Sequence, residues 1–307
     1  MAFNEVDSPV SMFNLNVKLD IVPEPNPLDI FLRDYAERMT IPLPEEMDSI
    51  EDYDQIHCNF SGGKDSIALV LLLLYGYKVP KEKLVLVHMR VDGPEEKKAF
   101  FDWKETDEYL KYCSGKLGIP LIMLSSDISL KERIEMRGMW PSSAMQFCTS
   151  YLKRDVYSKW ARSLGSGKYL CVSGERAEES SRRAKKKVFE TYKHANAPTK
   201  KRYVDWLRPV HHLLETEVWE LMRLAGIDPH PCYEYVSRCS CKFCIFLSPA
   251  EMAKVAELHP LDFNELVEME KRMGHTMRYE KKNPVSLLDF VKKGALDFKF
   301  DERPCAV

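Results

Sequence analysis

The segment NFSGGKDSIALVLLLLYG, residues 59–76, constrains the fold of this chain more than any other stretch. The apolar strand pattern QIHCNF leads into it, and the run from Lys64 to Gly76 predicts a helix. Glycines between a strand and a helix let several backbone N–H groups face one anion, and the helix N-terminus adds positive charge. The spacing is not that of the G-x-x-x-x-G-K-S/T nucleotide loop. The segment therefore predicts a phosphate site of another kind, with a plain glycine turn as the alternative.

Strand and helix patterns alternate from residue 55, which favours a doubly wound parallel sheet covered by helices on both faces. Predicted strands cover 55–60, 83–91, 119–126 and 168–174, with helices over 64–76, 94–118 and 142–165. Further helices are predicted near 30–38, 215–226, 249–258, 261–274 and 285–293. We predict an N-terminal lead-in over 1–50, an α/β nucleotide-binding domain over 51–230 and a cysteine-bearing helical region over 231–307.

The charge and the distribution of apolar residues exclude some classes of protein. The formal net charge of −2 gives no overall attraction to nucleic acid, so such binding needs a local basic patch. The longest strongly apolar run, 67–75, is too short to cross a bilayer, and the N-terminus lacks the pattern of a secretory signal. These features predict a cytoplasmic protein with no membrane partner.

Four motifs resemble one known family. Ser61-Gly62-Gly63-Lys64-Asp65-Ser66 resembles the PP-loop of ATP pyrophosphatases, which hold the pyrophosphate of ATP while its α-phosphate is attacked. The other three are RGMWPSSAMQFCTSYLKR (137–154), VSGERAEESSRR (172–183) and YEYVSRCSCKFCIF (233–246). They resemble the R-x-x-P … C-T-x-x-L-K, G-x-R-x-x-E-S and R-x-x-C-x-x-C segments of the phosphoadenosine phosphosulfate (PAPS) reductase family in its broad sense. All four occur in that family's order.

The resemblance implies a Rossmann-like, adenine nucleotide alpha-hydrolase-like fold and an adenine nucleotide site. The nucleotide-binding residues it implies are Ser61, Gly62, Gly63, Lys64, Asp65, Ser66, Lys153, Gly174, Arg176 and Glu179, with Lys64, Asp65 and Arg176 catalytic. Arginine and lysine side chains suit such a site because they neutralise phosphate or sulfate, and Arg137 and Arg183 are further candidates.

Phosphoryl and adenylyl transfer usually employ Mg²⁺ with the ATP. Glu175 and Glu179 are the nearest carboxylates for the metal or a ribose hydroxyl, with solvated helix-start acids as the alternative. His88, at the end of a predicted strand, is expected to be a buried, hydrogen-bonded histidine.

Four of the nine cysteines lie within thirteen residues, which in a reducing compartment indicates metal ligation. Cluster-bearing members of the family have an upstream cysteine pair, whereas Phe147 precedes Cys148 here. We expect a [4Fe–4S] cluster whose ligands are Cys148, Cys232, Cys241 and Cys244, with Cys239 as a substitute for Cys232. The alternatives are zinc on Cys232, Cys239, Cys241 and Cys244, or free buried thiols.

The last residues are Arg-Pro-Cys-Ala-Val and contain Cys305. Assimilatory PAPS reductases attack sulfate sulfur with a tail cysteine in a Glu-Cys-Gly-x-His context, and this tail lacks the glycine and the histidine. Arg303 favours a reactive thiolate at Cys305, and an inert terminal cysteine is the alternative.

A basic arm extends over residues 181–203 and carries nine Lys or Arg residues with one acid, Glu190. The aromatic residues Phe189, Tyr192 and Tyr203 are interleaved with them. This composition suits binding of DNA or RNA, and a solvated loop that folds over the nucleotide is the alternative.

Three functions are compatible with these features. The first is an enzyme that splits ATP to AMP and pyrophosphate, activates an acceptor and enables sulfur transfer, as in relatives that install sulfur in the DNA backbone. It implies a sulfur donor as a partner. The second is a true PAPS reductase that makes sulfite with a thioredoxin-like protein. The third is a non-catalytic regulator that binds a nucleotide or a nucleic acid.

Overall fold

The computed structural model describes residues 27–296 and is built on a six-stranded sheet. Its strands are β1 (Gln55–Asn59), β2 (Leu84–Arg90), β3 (Leu121–Ser125), β4 (Gly167–Val172), β5 (Phe189–Thr191) and β6 (Arg202–Leu207). Their order is β3-β2-β1-β4-β6-β5, and all neighbours are parallel except β5, which is antiparallel to β6. A small hairpin, β7 (Arg278–Glu280) and β8 (Asn283–Val285), forms a second sheet.

Helices connect and flank the strands. They are α1 (Pro27–Arg38), α2 (Lys64–Leu71), α3 (Thr106–Leu117), α4 (Leu130–Arg137), α5 (Phe147–Thr149), α6 (Asp155–Ser163), α7 (Ser181–Ala184), α8 (Glu215–Leu224), α9 (Pro249–Leu258), α10 (Pro260–Met273) and α11 (Leu287–Leu296). A π-helical turn extends α2 to Gly76, and another joins α5 to α6. Between residues 27 and 296 no helix has the length and apolar character that a membrane span needs.

The strand order places a topological switch point between β1 and β4. The chain runs outward from β1 through β2 to β3 and then crosses back to β4 on the other side of β1. The centre of β1, Ile56–Cys58, is buried, as expected for a strand with neighbours on both edges. Open α/β sheets bind ligands beyond the carboxyl ends of the strands at such a point. We therefore expect the ligand site of this fold in the segments that follow β1 and β4.

The predicted doubly wound α/β fold is confirmed, with local differences. The helix predicted over 94–118 begins only at Thr106. Upstream, the Asp92 carboxylate accepts hydrogen bonds from the backbone N–H groups of Phe100, Phe101 and Asp102 at 2.6–2.7 Å. Because these donors bond to a side chain, they are not available for helical hydrogen bonds, and the segment is an ordered loop.

A large apolar core crosses the predicted boundary between residues 230 and 231. Phe101, Trp103 and Trp140 from the α/β part belong to the same buried cluster as Phe243 and Phe263 from the C-terminal part. The segment 231–296 is therefore packed against the sheet domain through shared core residues.

Candidate functional site

The segment Ser61–Ser66 joins β1 to α2 as a tight loop. Gly62 has a φ of +77°, a conformation that favours glycine, and Gly63 caps the N-terminus of α2. Inside the loop, the Ser66 hydroxyl donates to the Gly63 carbonyl at 2.8 Å. A side chain at Gly63 would lie 2.9 Å from the Cβ of Cys239, so the C-terminal part covers the loop closely.

Gly174, just beyond β4, abuts this loop. A Cβ atom at Gly174 would lie 2.7 Å from the Asp65 carbonyl oxygen and 3.1 Å from the Ser66 nitrogen. The glycine is therefore required for the loops after β1 and β4 to approach at the switch point.

Arg176 holds the loop by an ion pair. Its side chain is almost fully buried, its Nε donates to Asp65 Oδ1 at 2.5 Å, and it also bonds to Glu178 and to the Leu213 carbonyl. Burial lowers the pKa of Arg176, but its bonds to Asp65 and Glu178 outweigh burial and raise that pKa. Asp65 lines the cavity beside the loop and Arg176 does not, so the guanidinium positions the carboxylate.

The Lys64 side chain points away from that cavity. It is 3% exposed, and its Nζ lies 3.3 Å from Glu215 Oε1 and 3.6 Å from Asp65 Oδ2. The rings of Trp219 and Tyr233 lie beneath the ammonium at 5.7 and 5.6 Å from their centroids. The ammonium therefore acts on the loop through Asp65, while the Lys64 backbone N–H donates to Tyr233 Oη at 2.9 Å.

A cavity of about 620 Å³ opens beside the loop, a size typical of ligand pockets. From the strand ends it is lined by Asn59, Ser61, Gly63, Asp65, Ser66, Gly174, Glu175 and Glu179. A second cavity of about 790 Å³ adjoins it, and the two share Ser61 and Lys153. The second cavity is basic and aromatic, with Arg137, Arg154, Arg182, Arg183, Lys186, Tyr151, Tyr157, Tyr192 and Trp206 in its wall.

The two acids after β4 are both ion-paired. Glu175 accepts from Arg208 at 2.7 Å and from Lys186; burial raises the pKa of Glu175, but these two cations outweigh burial and hold it low. Glu179 accepts from Arg238 at 2.8 Å and from Arg183. Both oxygens of each carboxylate are therefore engaged.

His88 is buried beside the loop, as expected. Its Nδ1 donates to the Phe60 carbonyl at 2.9 Å, while Nε2 has no partner among the described residues. Burial lowers the pKa of His88, which keeps the ring neutral.

Three of the predicted cluster ligands share the cavity with Cys239, the predicted substitute for the fourth. Cys148, Cys241 and Cys244 all line it together with Lys153. Burial lowers the pKa of Lys153, but the charges of Cys241, Asp102 and Cys148 outweigh burial and raise it. Within residues 27–296 the Lys153 ammonium makes no hydrogen bond or ion pair, so it faces the cysteines and the cavity.

Cys232 does not line the cavity, whereas Cys239, the substitute predicted for it, does. Pro231 begins a 3₁₀ turn, Pro231–Glu234, that buries the Cys232 side chain next to Cys239 and His230. Of the alternative zinc set, Cys239, Cys241 and Cys244 line the cavity and Cys232 does not. Cys305 lies outside the described residues.

The basic arm lies at the sheet edge, and four of its nine cations have partners in the structure, among them Arg182, which donates to Gln146 Oε1 at 3.4 Å. Arg183 and Lys186 pair with the acids after β4, and the buried Arg202 donates to the carbonyls of Ala195 and Arg162. Five lysines of the arm are exposed: Lys185, Lys187, Lys193, Lys200 and Lys201.

Tyr233 is the loop contact that the sequence analysis missed. Its hydroxyl reaches Lys64 across 169 positions of the chain, a tertiary contact without a linear motif. Its place shortly before the C-x-x-C pair is the signal that identifies it as a candidate.

Residues 55–238, more than half of the chain, match the model of the phosphoadenosine phosphosulfate reductase domain. An uncharacterized protein of Methanocaldococcus jannaschii is 26% identical over 221 residues, which are 72% of this chain and 48% of that protein. The chain thus spans about half the length of this relative.

Two solved structures show distant likeness. Phosphoadenylyl-sulfate reductase from Candida auris, a phosphate complex, superposes with a TM-score of 0.40 and 10% identity, over 64% of this chain and 93% of that one. The U34-tRNA thiolase NcsA from Methanococcus maripaludis, which carries a [4Fe–4S] cluster, gives a TM-score of 0.43 and 12% identity, over 91% of this chain and 84% of that one.

Proposed function

The chain belongs to the phosphoadenosine phosphosulfate reductase domain family, and from this premise we propose that it is a PP-loop enzyme that splits ATP to activate an acceptor for sulfur transfer. One observation carries the proposal: the phosphate loop after β1 and the cysteines Cys148, Cys241 and Cys244 line the same cavity. A site that combines a pyrophosphate cradle with three thiols suits a reaction in which adenylation and sulfur chemistry occur side by side.

In the proposed reaction an acceptor oxygen attacks the α-phosphorus of ATP. The bond from that phosphorus to the bridging oxygen breaks, and pyrophosphate leaves with that oxygen. A sulfide nucleophile then bonds to the activated acceptor atom, and AMP leaves with the original acceptor oxygen. The backbone N–H groups of Ser61, Gly63, Lys64 and Ser66 already donate within the structure. Those of Gly62 and Asp65, at the N-terminus of α2, are left to hold the departing pyrophosphate, where donors stabilise developing negative charge.

Asp65 is the carboxylate we assign to Mg²⁺. Its Oδ1 is bound by Arg176, but its Oδ2 makes no hydrogen bond with the described residues, since the nearest cation, Lys64 Nζ, is 3.6 Å away. Mg²⁺ typically takes one or two carboxylates plus substrate phosphates, and it neutralises phosphate charge when bound. Arg176 and Lys64 are then positioning residues that act through Asp65.

Cys148, Cys241 and Cys244 fit an iron–sulfur cluster as thiolate donors, and Lys153 balances their negative charge. A cluster held there supplies iron atoms that exchange electrons and bind sulfide. The second cavity, basic and aromatic, suits a negatively charged, planar acceptor such as a nucleotide unit of DNA or RNA.

The test uses anaerobically purified protein incubated with ATP and Mg²⁺, with and without bulk RNA or DNA, and in parallel with PAPS and reduced thioredoxin. Pyrophosphate release supports the proposal. Sulfite release from PAPS instead identifies a PAPS reductase, and nucleotide binding without either product identifies a regulator.

Asp65→Asn is the decisive variant. We expect a loss of pyrophosphate release of about 10²- to 10³-fold, the range for removal of one transition-state contact. Asp127→Asn, the same change at an exposed position, is the matched control. Full turnover in Asp65→Asn contradicts the assignment. Iron and acid-labile sulfide that disappear in Cys244→Ser support the cluster, whereas a colourless, iron-free anaerobic preparation contradicts it.

A further inference from the structure

A second group of ligand atoms lies next to the phosphate loop and does not include Cys148, Cys241 or Cys244. His230, Cys232 and Cys239 each offer one ligand atom, and these atoms all lie within 4.8 Å of one another. His230 and Cys232 are buried, and Cys239 lines the nucleotide cavity. Two thiols and an imidazole form a donor set that suits zinc.

We propose that His230, Cys232 and Cys239 bind a single Zn²⁺ ion that fastens the segment 230–239 onto the phosphate loop. The spacing supports one ion rather than a cluster. Tetrahedral zinc with Zn–S bonds of about 2.3 Å holds its sulfur ligands about 3.8 Å apart. The ligand atoms of His230, Cys232 and Cys239 lie within 4.8 Å of one another, so they need to move together only slightly to bind one ion. The proposal does not depend on the reaction assigned to the site.

The imidazole of His230 is already oriented by its neighbours. Its Nε2 lies 3.2 Å from Thr106 Oγ1, and its Nδ1 lies 3.1 Å from the Cys232 nitrogen, whose N–H can only donate. Nδ1 is therefore the unprotonated nitrogen, and Nε2–H donates to Thr106. Histidine ligands of metals typically donate their second ring N–H to such a partner, which fixes the tautomer and the ring orientation.

The charges and protons are accounted for when Zn²⁺ binds to this group. Zn²⁺ forms bonds to the two sulfurs and to neutral Nδ1, and the two thiol protons leave to solvent, so the site is neutral overall and no oxidant is consumed. The Nδ1 lone pair exchanges a weak backbone hydrogen bond for the metal. With three protein ligands, the fourth tetrahedral position belongs to water or to a group in the cavity.

Cys239 connects the proposed ion to the phosphate loop. The Cβ of Cys239 lies 2.9 Å from where a Gly63 side chain would begin, and its Sγ lies 3.7 Å from the Ser61 carbonyl. Tyr233, between the ligands in the chain, accepts the Lys64 N–H. An ion that fixes Cys239 and Cys232 also fixes Tyr233, and thereby holds the loop in its anion-binding shape.

The experiment is a Co²⁺ titration of the reduced, metal-free full-length protein under anaerobic conditions, followed by displacement with Zn²⁺. We expect one tightly bound Co²⁺ with thiolate charge-transfer absorption and the visible bands of tetrahedral cobalt. Because the cavity thiols Cys148, Cys241 and Cys244 also offer thiolates to Co²⁺, the titration is repeated in a Cys148→Ser/Cys244→Ser protein. Both signals should persist there, and adding Cys239→Ser to that protein should abolish them.

Thr106→Val tests the orientation of His230 without touching a ligand. Loss of an outer partner of this kind typically weakens metal binding by about 10- to 100-fold, and we expect this in the Zn²⁺ competition. Thr106→Val also tests the proposed zinc site if Cys239→Ser fails to fold.

Three results overturn the proposal. The first is Co²⁺ absorption that vanishes in the Cys148→Ser/Cys244→Ser protein, or that survives the addition of Cys239→Ser to it. The second is a reduced wild-type protein that binds no stoichiometric Co²⁺. The third is a Cys232–Cys239 disulfide, seen by mass spectrometry, that persists under reducing conditions. Because the readout is metal binding, a failure here is distinct from a failure to release pyrophosphate.

Discussion

At the scale of the residue, Gly174 is the position of the site that tolerates a side chain least. A Cβ atom there would lie 2.7 Å from the Asp65 carbonyl oxygen, a backbone atom that cannot move aside by a change of rotamer. We therefore expect Gly174→Ala to lower the free energy of unfolding by about 1–3 kcal/mol, the usual cost of overpacking, and to weaken ATP binding. Urea unfolding and a calorimetric ATP titration measure the two effects.

Gly115→Ala is the matched control for this change. Gly115 lies within α3, and no atom lies within 4 Å of an added Cβ. The substitution should stabilise the protein by about 0.4–1 kcal/mol through the unfolded chain and leave ATP binding unchanged. Wild-type ATP affinity in Gly174→Ala contradicts the close approach of the two loops.

Asp92 predicts a pH dependence of stability. Burial and the neighbouring Asp102 raise the pKa of Asp92 from 3.8 to about 6 in the folded protein. Between these values the folded chain retains a proton that the unfolded chain has lost. The stabilising contribution is therefore complete below pH 3.8 and is lost as the pH rises through about 6, a change of about 3 kcal/mol.

Asp92→Asn removes this titration and keeps an oxygen that accepts the three loop N–H groups. Relative to the wild type, its free energy of unfolding should therefore rise by up to about 3 kcal/mol between about pH 4 and pH 7. Urea unfolding of both proteins across this range measures the difference. A difference that does not change with pH shows that Asp92 does not titrate there.

At the scale of the element, the sequence specified the segments whose signals are local. Glycines, an apolar strand and an apolar helix mark β1 and α2, and the predicted helix 249–258 coincides with α9. The residues before α3 were predicted as helix and are not, because the decisive acceptor, the Asp92 carboxylate, lies outside the helical pattern. The spacing of apolar residues does not show that a side-chain carboxylate competes with the helix for these backbone N–H groups.

The last two strands on one side of the sheet, β6 and β5, were missed for a related reason. β5 and β6 lie within or next to the basic arm, whose high charge obscures the apolar alternation expected of a strand. β6 forms because it pairs with β4 over six residues, and β5 is then held by β6. Their existence depends on sheet pairing, which local propensity does not describe.

The exposed lysines of the arm predict electrostatic binding of nucleic acid. Lys185, Lys187 and Lys193 are exposed, unlike the cations of the arm that pair with Glu175 and Glu179. If they contact phosphates, replacing all three with Gln should reduce the slope of log affinity against log salt by about 2, at about 0.7 per contact on a single strand. Fluorescence anisotropy with a single-stranded oligonucleotide at several salt concentrations measures it.

Lys104, Lys116 and Lys271, likewise exposed, provide the control triple with the same loss of charge. Their replacement with Gln should leave the slope nearly unchanged. Equal effects of the two triples would show that net charge, rather than the arm, governs binding.

At the scale of the whole molecule, the site depends on packing between distant parts of the chain. The linear motifs specified which cysteines are present but not which of them meet. The burial of Cys232 beside His230, and the grouping of Cys148 with Cys241, follow from how residues 231–246 pack onto the loops after the strands. Sequence spacing therefore left Cys232 and Cys239 as alternatives for the fourth cysteine, and the fold places Cys239 in the cavity and buries Cys232 beside His230.

The shared core predicts that α4 and the C-terminal helices unfold together. Phe263 in α10 is 6% exposed and belongs to the cluster that contains Trp103 and Trp140, whereas Leu261 in the same helix is 82% exposed. Phe263→Ala should cost about 3–5 kcal/mol, and Leu261→Ala less than about 0.5. Because the same cluster contains Leu130 and Ile134 of α4, Phe263→Ala should lower the hydrogen-exchange protection of the α4 amides as much as that of α9 and α10. Protection lost only in the C-terminal helices, with α4 unchanged, would instead establish residues 231–296 as an independent folding unit.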